Sequence, residues 1–472
     1  MHAESAMTDI VTVNPATGDP LASYGSMDDR AISLSLETVA AAQPDWARRS
    51  LRARVDRLAE LANVLERRRV EFATLITTEM GKRLVESLAE IDKCVATCRY
   101  YVEHAEEIFT PHDAEGPGSR NQIRLEPLGT ILAIMPWNFP FWQVIRFAVP
   151  ALLVGNGVLI KHAPNTTGCA LAIETAMIEA EMEGIARALV VDPAVVPTTV
   201  ERLINHDAIG AVTFTGSTPA GAAVAAVAGR AVKKSVLELG GSDPFVVLDD
   251  CDLEQAVSAA VASRFGNCGQ SCLAAKRFIV HKRIADEFTT RFVESVSALR
   301  VGDPFDEASD LGPMARDDLR DALCSQVLRS VDLGAEMLVG QTDPSDRPGW
   351  WQQPIVLSGG ERDRLMPAMA EETFGPAAII AVVDHDDRAV ELANDTPYGL
   401  AASIWSSDVE RALSVGRRVQ SGALFINRAV ASDARLPFGG VRRSGYGREL
   451  GTVGAHEFAN VRPLVIDDVT LG

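Results

Sequence analysis

Cys272 closes the segment Phe265-Gly266-Asn267-Cys268-Gly269-Gln270-Ser271-Cys272, which is rich in small and polar residues. A structural cysteine usually packs among apolar side chains. A thiol in this setting is placed to be partly exposed and ionised, as a nucleophile must be, with a buried structural role as the alternative. No histidine lies nearby in the chain to act as its base. A carboxylate can do that work. Glu238, in Leu237-Glu238-Leu239-Gly240-Gly241, is an acidic residue between two leucines just before paired glycines. An edge strand showing Glu238 to water would explain the same pattern. Phe214-Thr215-Gly216-Ser217-Thr218-Pro219 follows a strand-like run and opens a helix-like one. Free backbone N–H groups and the positive helix end would meet a phosphate there, though an ordinary strand–turn–helix reads the same way. The fingerprint G-x-G-x-x-G follows no candidate strand, and no Gly-Lys-Ser/Thr makes the turn a P-loop. Arg146 is the only charged residue between 130 and 160. A lone charge in an apolar stretch is costly without a partner. Arg suits a carboxylate because its fork bonds two oxygens, and a structural salt bridge is the competing explanation. Cys268 and Cys272 sit four apart, as do Cys94 and Cys98, and no histidine pair has ligand spacing. Half a zinc site at best results, so no metal is expected.

The elements that must position these residues are legible in outline. Residues 27–110 read as helical: Val55, Leu58, Leu61 and Leu65 recur at three and four, and Ser50 can cap the start. Residues 111–120 form a turn-rich break, followed by an exposed strand at 123–127 and a buried one at 129–135. Strands are then expected at 157–161, 189–191, 209–214, 234–239, 245–248, 278–281, 377–383, 401–406 and 423–427. Helices are expected at 167–183, 200–205, 218–229, 253–265 and 389–394. Alternating strands and helices mean parallel βαβ units, here two doubly wound α/β units in one chain. The apolar run 130–160 is long enough for a membrane span, but Pro136, Pro140, Pro150, Asn138 and Asn156 interrupt it. A buried strand followed by a buried helix accounts for it better.

The whole chain has 472 residues and a formal charge of −19. That balance argues against nucleic acid, whose phosphates need a basic face. Seven scattered cysteines point to reduced thiols and a cytoplasmic setting. Met1–Val13 carries Glu4 and Asp9 and lacks the apolar core of a signal peptide.

Six motifs stand in order: Pro136-Trp137-Asn138-Phe139-Pro140, Thr213-Phe214-Thr215-Gly216-Ser217, Glu238-Leu239-Gly240-Gly241, Gly269-Gln270-Ser271-Cys272, Glu371-Glu372-Thr373-Phe374-Gly375-Pro376 and Pro437-Phe438-Gly439-Gly440. With Asn14-Pro15-Ala16-Thr17-Gly18 near the start, the chain resembles the NAD(P)-dependent aldehyde dehydrogenase superfamily to beyond Glu449. The resemblance implies that Cys272 attacks the aldehyde carbon and that Asn138 stabilises the oxyanion with the nucleophile's own N–H. The thiohemiacetal gives up hydride and becomes a thioester, and Glu238 activates the water that hydrolyses it. It also implies that Lys161 bonds the adenine ribose and that Gly216 and Ser217 lie beside the pyrophosphate. Glu372 and Phe374 would hold the nicotinamide ribose, with Trp137 lining the cleft.

The chain departs from that pattern at Pro164, where NAD-preferring members usually carry a glutamate that repels a 2′-phosphate. NADP is therefore expected to be accepted, alone or with NAD. Arg146 and Ser432 match substrate-binding residues of succinate-semialdehyde dehydrogenases, and Ala274-Ala275-Lys276-Arg277-Phe278 resembles a bacterial subgroup of semialdehyde dehydrogenases. A second arginine of that group is here Gly266, for which Arg264 or Arg435 would have to compensate. Succinate semialdehyde is the expected substrate. A medium-chain or aromatic aldehyde, CoA in place of water, and a non-catalytic binding protein on the same fold are the alternatives. Glu238 speaks against CoA, and retention of Cys272, Glu238 and Asn138 against the last. Cys268 is expected to be filler rather than half of a regulatory disulfide with Cys272. The implied subunit has a cofactor domain (1–112 and 130–239) and a catalytic domain (240–440). A small oligomerisation element (113–129 and 455–472) would build a homodimer or homotetramer.

Overall fold

The computed structural model describes residues 8–343, 347–359 and 363–467. Residues 1–7 of the stretch in which no signal peptide is expected, and 468–472 of the expected oligomerisation element, lie outside them.

The chain begins with a hairpin the sequence did not announce, β1 (Ile10–Val13) and β2 (Pro20–Tyr24). The helical region resolves into α1 (Asp29–Arg48), α2 (Leu51–Arg67), α3 (Arg69–Met80), α4 (Leu84–Glu103) and α5 (Ala105–Phe109). Ser50 caps α2, its hydroxyl accepting from Ala53 N at 3.2 Å. Val55, Leu58, Leu61 and Leu65 are all buried, as their spacing requires. Next come β3 (His112–Asp113), β4 (Arg120–Pro127), β5 (Thr130–Met135), α6 (Trp142–Val154) and β6 (Gly157–His162). The apolar run 130–160 is thus strand, helix and strand, every residue of β5, α6 and β6 being buried. Among the described residues no helix is long and apolar enough to cross a membrane.

The alternation continues through α7 (Thr167–Glu179), β7 (Ala186–Leu189), α8 (Val196–Asn205), β8 (Ile209–Thr215), α9 (Thr218–Arg230) and β9 (Lys234–Glu238). Here α7 stops four residues before the expected Glu183, and β7 begins three residues upstream of expectation. Glu181 and Gly184 adopt positive φ and turn the chain early. The second half contains β10 (Asp243–Val247), α10 (Leu253–Phe265), β11 (Ala275–His281), α11 (Ala285–Ser297), α12 (Asp317–Asp332), β12 (Glu336–Val339) and β13 (Ile355–Ser358). It closes with α13 (Pro367–Ala370), β14 (Ala377–Val383), α14 (Asp386–Asn394), β15 (Ala401–Trp405), α15 (Val409–Gly416), β16 (Ala423–Ile426), β17 (Gly445–Tyr446), α16 (Gly451–Ala455) and β18 (Ala459–Ile466).

These strands form two large sheets. One runs β17-β9-β8-β5-β6-β7, parallel except for β17. The other runs β12-β13-β14-β11-β10-β15-β16, parallel except for β12. Their central strands are near-continuous apolar runs because helices cover both faces. A third, antiparallel sheet, β18-β4-β3, joins the strand after α5 to the far end of the chain.

Candidate active site

The first sheet collects its site residues at one edge. Trp137 and Asn138 follow β5, Lys161 is near the end of β6, Gly216 and Ser217 follow β8, and Glu238 ends β9. From β5 the chain builds outward to β6 and β7, then returns to place β8 and β9 on the other side. An open parallel sheet binds ligands beyond its carboxyl ends at such a reversal. The second sheet contributes from the opposite ends of its strands. Cys272 lies just before β11, Phe374 just before β14, and the Gly240-Gly241 turn links Glu238 directly to β10. Chemistry is therefore assembled between two sheet edges.

The turn before Cys272 is unusual backbone. Asn267 and Cys268 both hold positive φ (51° and 53°), followed by Gly269 at 69°. Non-glycine residues in that region cost free energy unless their surroundings over-determine them. Here they do. Asn267 N donates to Glu86 Oε1 at 2.8 Å, and its amide donates to Asn138 O at 3.0 Å and Gln270 O at 3.2 Å. Gln270 is fully buried and accepts Ala315 N on its side-chain oxygen at 2.9 Å. Gly269 admits no side chain, since a Cβ would stand 2.3 Å from Gly375 O.

Cys272 is partly exposed and lines a cavity of about 360 Å³. Burial pushes its thiol up to about 12; Arg146 and Lys276 pull it down, while Glu372 and Glu238 oppose them. The expected ionised thiolate is thus not the resting form, because the burial outweighs the nearby cations. Asn138 is buried and donates one amide N–H to Gln270 O at 3.0 Å, while Gln143 Nε2 donates to its oxygen at 3.0 Å. This fixes which way the amide points.

Glu238 is not the solvent-facing residue an edge strand would show. β17 pairs across it, it is 3% exposed, and neither carboxylate oxygen has a hydrogen-bond partner among the described residues. Burial pushes its carboxyl well above the usual range and Glu449 adds to this, against Arg146 and Arg448. A carboxyl in that state holds a proton until a reaction needs it taken or given.

On the coenzyme side, Lys161 is buried and has no ion pair or hydrogen bond among the described residues. Burial alone lowers it to about 8. Pro164 starts the turn after β6, and next to it Asn165, which the sequence did not mark, buries both amide atoms without a partner. Ser217 stands at the N-cap of α9 with its hydroxyl making no capping bond. Orphaned polar groups around a free lysine fit a sugar–phosphate ligand. Trp137 and Phe374, far apart in sequence, meet edge-to-face with ring centroids 5.7 Å apart. Glu372 accepts Gly241 N at 3.0 Å and pairs with Lys276 Nζ at 3.8 Å. Gly240 lets Glu372 stay where it is, since a Cβ there would sit 2.3 Å from Glu372 Oε2 and displace the carboxylate. Lys276 also donates to Cys272 O at 2.9 Å, tying this loop to the thiol.

At the other end of the cavity, Arg146 and Ser432 both line the wall. Arg146, expected to meet a substrate carboxylate or else to form a structural salt bridge, has an acid partner. Its guanidinium pairs with buried Glu449, donates to Thr215 Oγ1 at 3.2 Å and lies over the Phe438 ring. The two suggested substitutes for Gly266 do not line the cavity. Arg264 is buried against the carbonyls of Thr373 and Gly375, and Arg435 pairs with Asp433. Lys93, unmarked by sequence, does line it. Cys268 packs into the core of the second sheet, whereas Cys272 packs against that of the first, and both thiols are free. Among the described residues no cluster of three His, Cys, Asp or Glu could hold a metal ion.

Residues 2–464 match the model of the aldehyde dehydrogenase family. The chain is 45% identical over 465 residues to a succinate semialdehyde dehydrogenase [NAD(P)+] of Escherichia coli (strain K12), covering 98% of this chain and 99% of that protein. It is 42% identical over 458 residues to a probable succinate-semialdehyde dehydrogenase [NADP(+)] of Synechocystis sp., covering 97% and 99%. The crystal structure of succinic semialdehyde dehydrogenase from Streptococcus pyogenes, in complex with NADP+, superposes with a TM-score of 0.93 at 33% identity, covering 97% of this chain and all of that one. With a family match over nearly its whole length and relatives above 40% identity along it, this chain belongs to the aldehyde dehydrogenase family.

Proposed function

We propose that the protein oxidises succinate semialdehyde to succinate, with NADP or NAD as hydride acceptor. The observation that carries this reading is the single cavity holding Cys272 together with Arg146, Lys93 and Ser432. A nucleophile and cationic or hydroxylic groups in one chamber suit an aldehyde with a carboxylate on its other end. The relatives named for that activity support it.

In this reading Cys272 gives its proton to solvent in the cavity, its sulfur bonds the aldehyde carbon, and the C=O electron pair moves onto oxygen. The amide of Asn138 and the Cys272 N–H take the charge that develops on oxygen. A bound nicotinamide coenzyme would supply the hydride acceptor, and the adduct on Cys272 would become a thioester. Glu238, once it has released its own proton to solvent, takes a proton from water; the resulting hydroxide adds to the acyl carbon, the C–S bond breaks, the acid leaves, and the Cys272 thiolate takes a proton back. Gly240 and Gly241 let Glu372 lie against the backbone that joins Glu238 to the second sheet. Lys161, Pro164, Gly216 and Ser217 would bind the coenzyme's adenosine and phosphates, and Glu372, Phe374 and Trp137 its nicotinamide half. Among the described residues no acidic group acts on Lys161, which supports acceptance of the 2′-phosphate. The Arg146–Glu449 pair favours one competitor, a medium-chain or aromatic aldehyde for which Arg146 is structural. A cytoplasmic, homo-oligomeric enzyme completes the proposal, in keeping with seven free thiols.

A steady-state panel of succinate semialdehyde, pentanal and benzaldehyde with both coenzymes tests it, alongside Cys272→Ala. Succinate semialdehyde should show the highest kcat/KM, NADP should support turnover, and Cys272→Ala should show none. Pentanal or benzaldehyde surpassing the semialdehyde would overturn the substrate, strong preference for NAD the coenzyme, and turnover without the thiol the chemistry.

A further inference from the structure

The cavity beside Cys272 is walled by three cations and two acids: Lys82, Lys93, Arg146, Glu86 and Glu90. Four of the five are already matched. Lys82 pairs with Glu90, both fully buried, and Arg146 with Glu449. Glu86 accepts Asn267 N and pairs with Arg83 at 3.4 Å. Lys93 is different. Its Nζ donates to Ser432 Oγ at 2.6 Å and lies 4.3 Å from the Trp142 ring centroid. No carboxylate among the described residues comes within ion-pair distance of it. The nearest candidate on the same loop, Asp433, is paired with Arg435. An ammonium has three N–H donors, and the hydroxyl of Ser432 occupies one.

An unmatched charge on a largely apolar, aromatic wall is costly unless an anion arrives to meet it. The elements explain how it persists. Glu86, Glu90 and Lys93 lie along one stripe of α4, at spacings of four and three, so all three face the cavity. Glu90 is turned toward Lys82 and toward the backbone N–H groups of Phe141 and Trp142, at 2.9 and 3.0 Å, rather than toward Lys93. Burial lowers the Lys93 ammonium to about 8, with Arg146 adding to this against Cys94, Glu90 and Asp433, so it remains mainly charged at neutral pH.

We propose that Lys93, positioned by Ser432 and Trp142, is the cation that recognises the substrate's carboxylate and so sets the preference for an acidic aldehyde. The role the missing arginine at Gly266 leaves open passes to α4, and Arg146, neutralised by Glu449, adds directional hydrogen bonds without net charge. This inference rests on the proposed semialdehyde activity.

The test compares wild type, Lys93→Gln and Lys93→Arg with succinate semialdehyde and with pentanal, a neutral aldehyde of similar length. Loss of a charge-assisted hydrogen bond predicts that Lys93→Gln lowers kcat/KM for the semialdehyde about ten- to a hundredfold, mainly through KM. Pentanal should be unaffected and Lys93→Arg should retain most of the preference. Equal loss on both aldehydes would mark Lys93 as structural, and no loss on either would remove it from recognition; in both cases the semialdehyde reading stands if wild type still prefers it. Wild type that fails to prefer the semialdehyde overturns that reading and this inference together.

Discussion

Lys161 carries the electrostatics of the coenzyme site, and its environment makes a pH prediction. Its ammonium is lowered to about 8 by burial alone. Below that pH the free enzyme presents a cation to an anionic coenzyme; above it the charge is lost. kcat/KM for NADP reports the free enzyme and should fall about tenfold per pH unit above about 8. Lys161→Met should lower the plateau and abolish that limb, measured as initial rate against NADP from pH 6 to 10; a limb that survives the substitution belongs to another group. Cys272, Glu238 and Asn138 were legible as residue types in telling neighbourhoods. Their protonation was not. Burial, which only the fold supplies, keeps the Cys272 proton on sulfur and the Glu238 proton on its carboxyl. Lys93 escaped notice because a lysine in a charged helix ordinarily faces water, and nothing local says that this one does not.

At the scale of elements, α4 does more than cover the first sheet. Glu90 bridges it to the start of α6, accepting Phe141 N and Trp142 N and pairing with Lys82. That bond set anchors the turn carrying Asn138. Removing one partner of a buried pair leaves the other charge uncompensated, at a cost of about 3–5 kcal/mol. Glu90→Ala should therefore lower the urea midpoint markedly and reduce kcat by displacing Asn138, while adding Lys82→Met should recover part of the stability but not the rate. A double variant no more stable than the single would show that the charge of Lys82 is not the cause. The strand and helix positions from 130 to 281 follow the apolar pattern closely, because parallel strands buried on both faces must be continuously apolar. The β1–β2 hairpin, α11, α12, β12 and β13 went unread. The edge strands β1, β2 and β12 carry mixed, half-exposed residues, and β13, though buried, is a four-residue run too short to tell from a loop; for α11 and α12 no such reason is evident.

For the molecule as a whole, β18-β4-β3 stands apart from the two large sheets. β18 lies at its edge, with Val461 54% and Val465 51% exposed. An eight-residue edge strand with exposed valines has unpaired backbone groups to which a strand of another chain can add. Light scattering should give the mass of a dimer or tetramer for wild type and a smaller one for Val461→Glu/Val465→Glu. A monomeric wild type would end this expectation. The charge of −19 coexists with a site whose Lys161 and Lys93 have no carboxylate partner among the described residues, so the global figure says little about the cavity. The sequence by itself determined the strand–helix alternation from 130 to 281, the two doubly wound units and the motifs that carry the family, since periodicity and glycine placement are local properties of a chain. Which charges are matched was decided only by the tertiary structure. Arg146 found Glu449, Lys82 found Glu90, and Lys93 found no acid, because ion pairing depends on distances between segments up to 303 residues apart in the chain, and packing alone sets those distances.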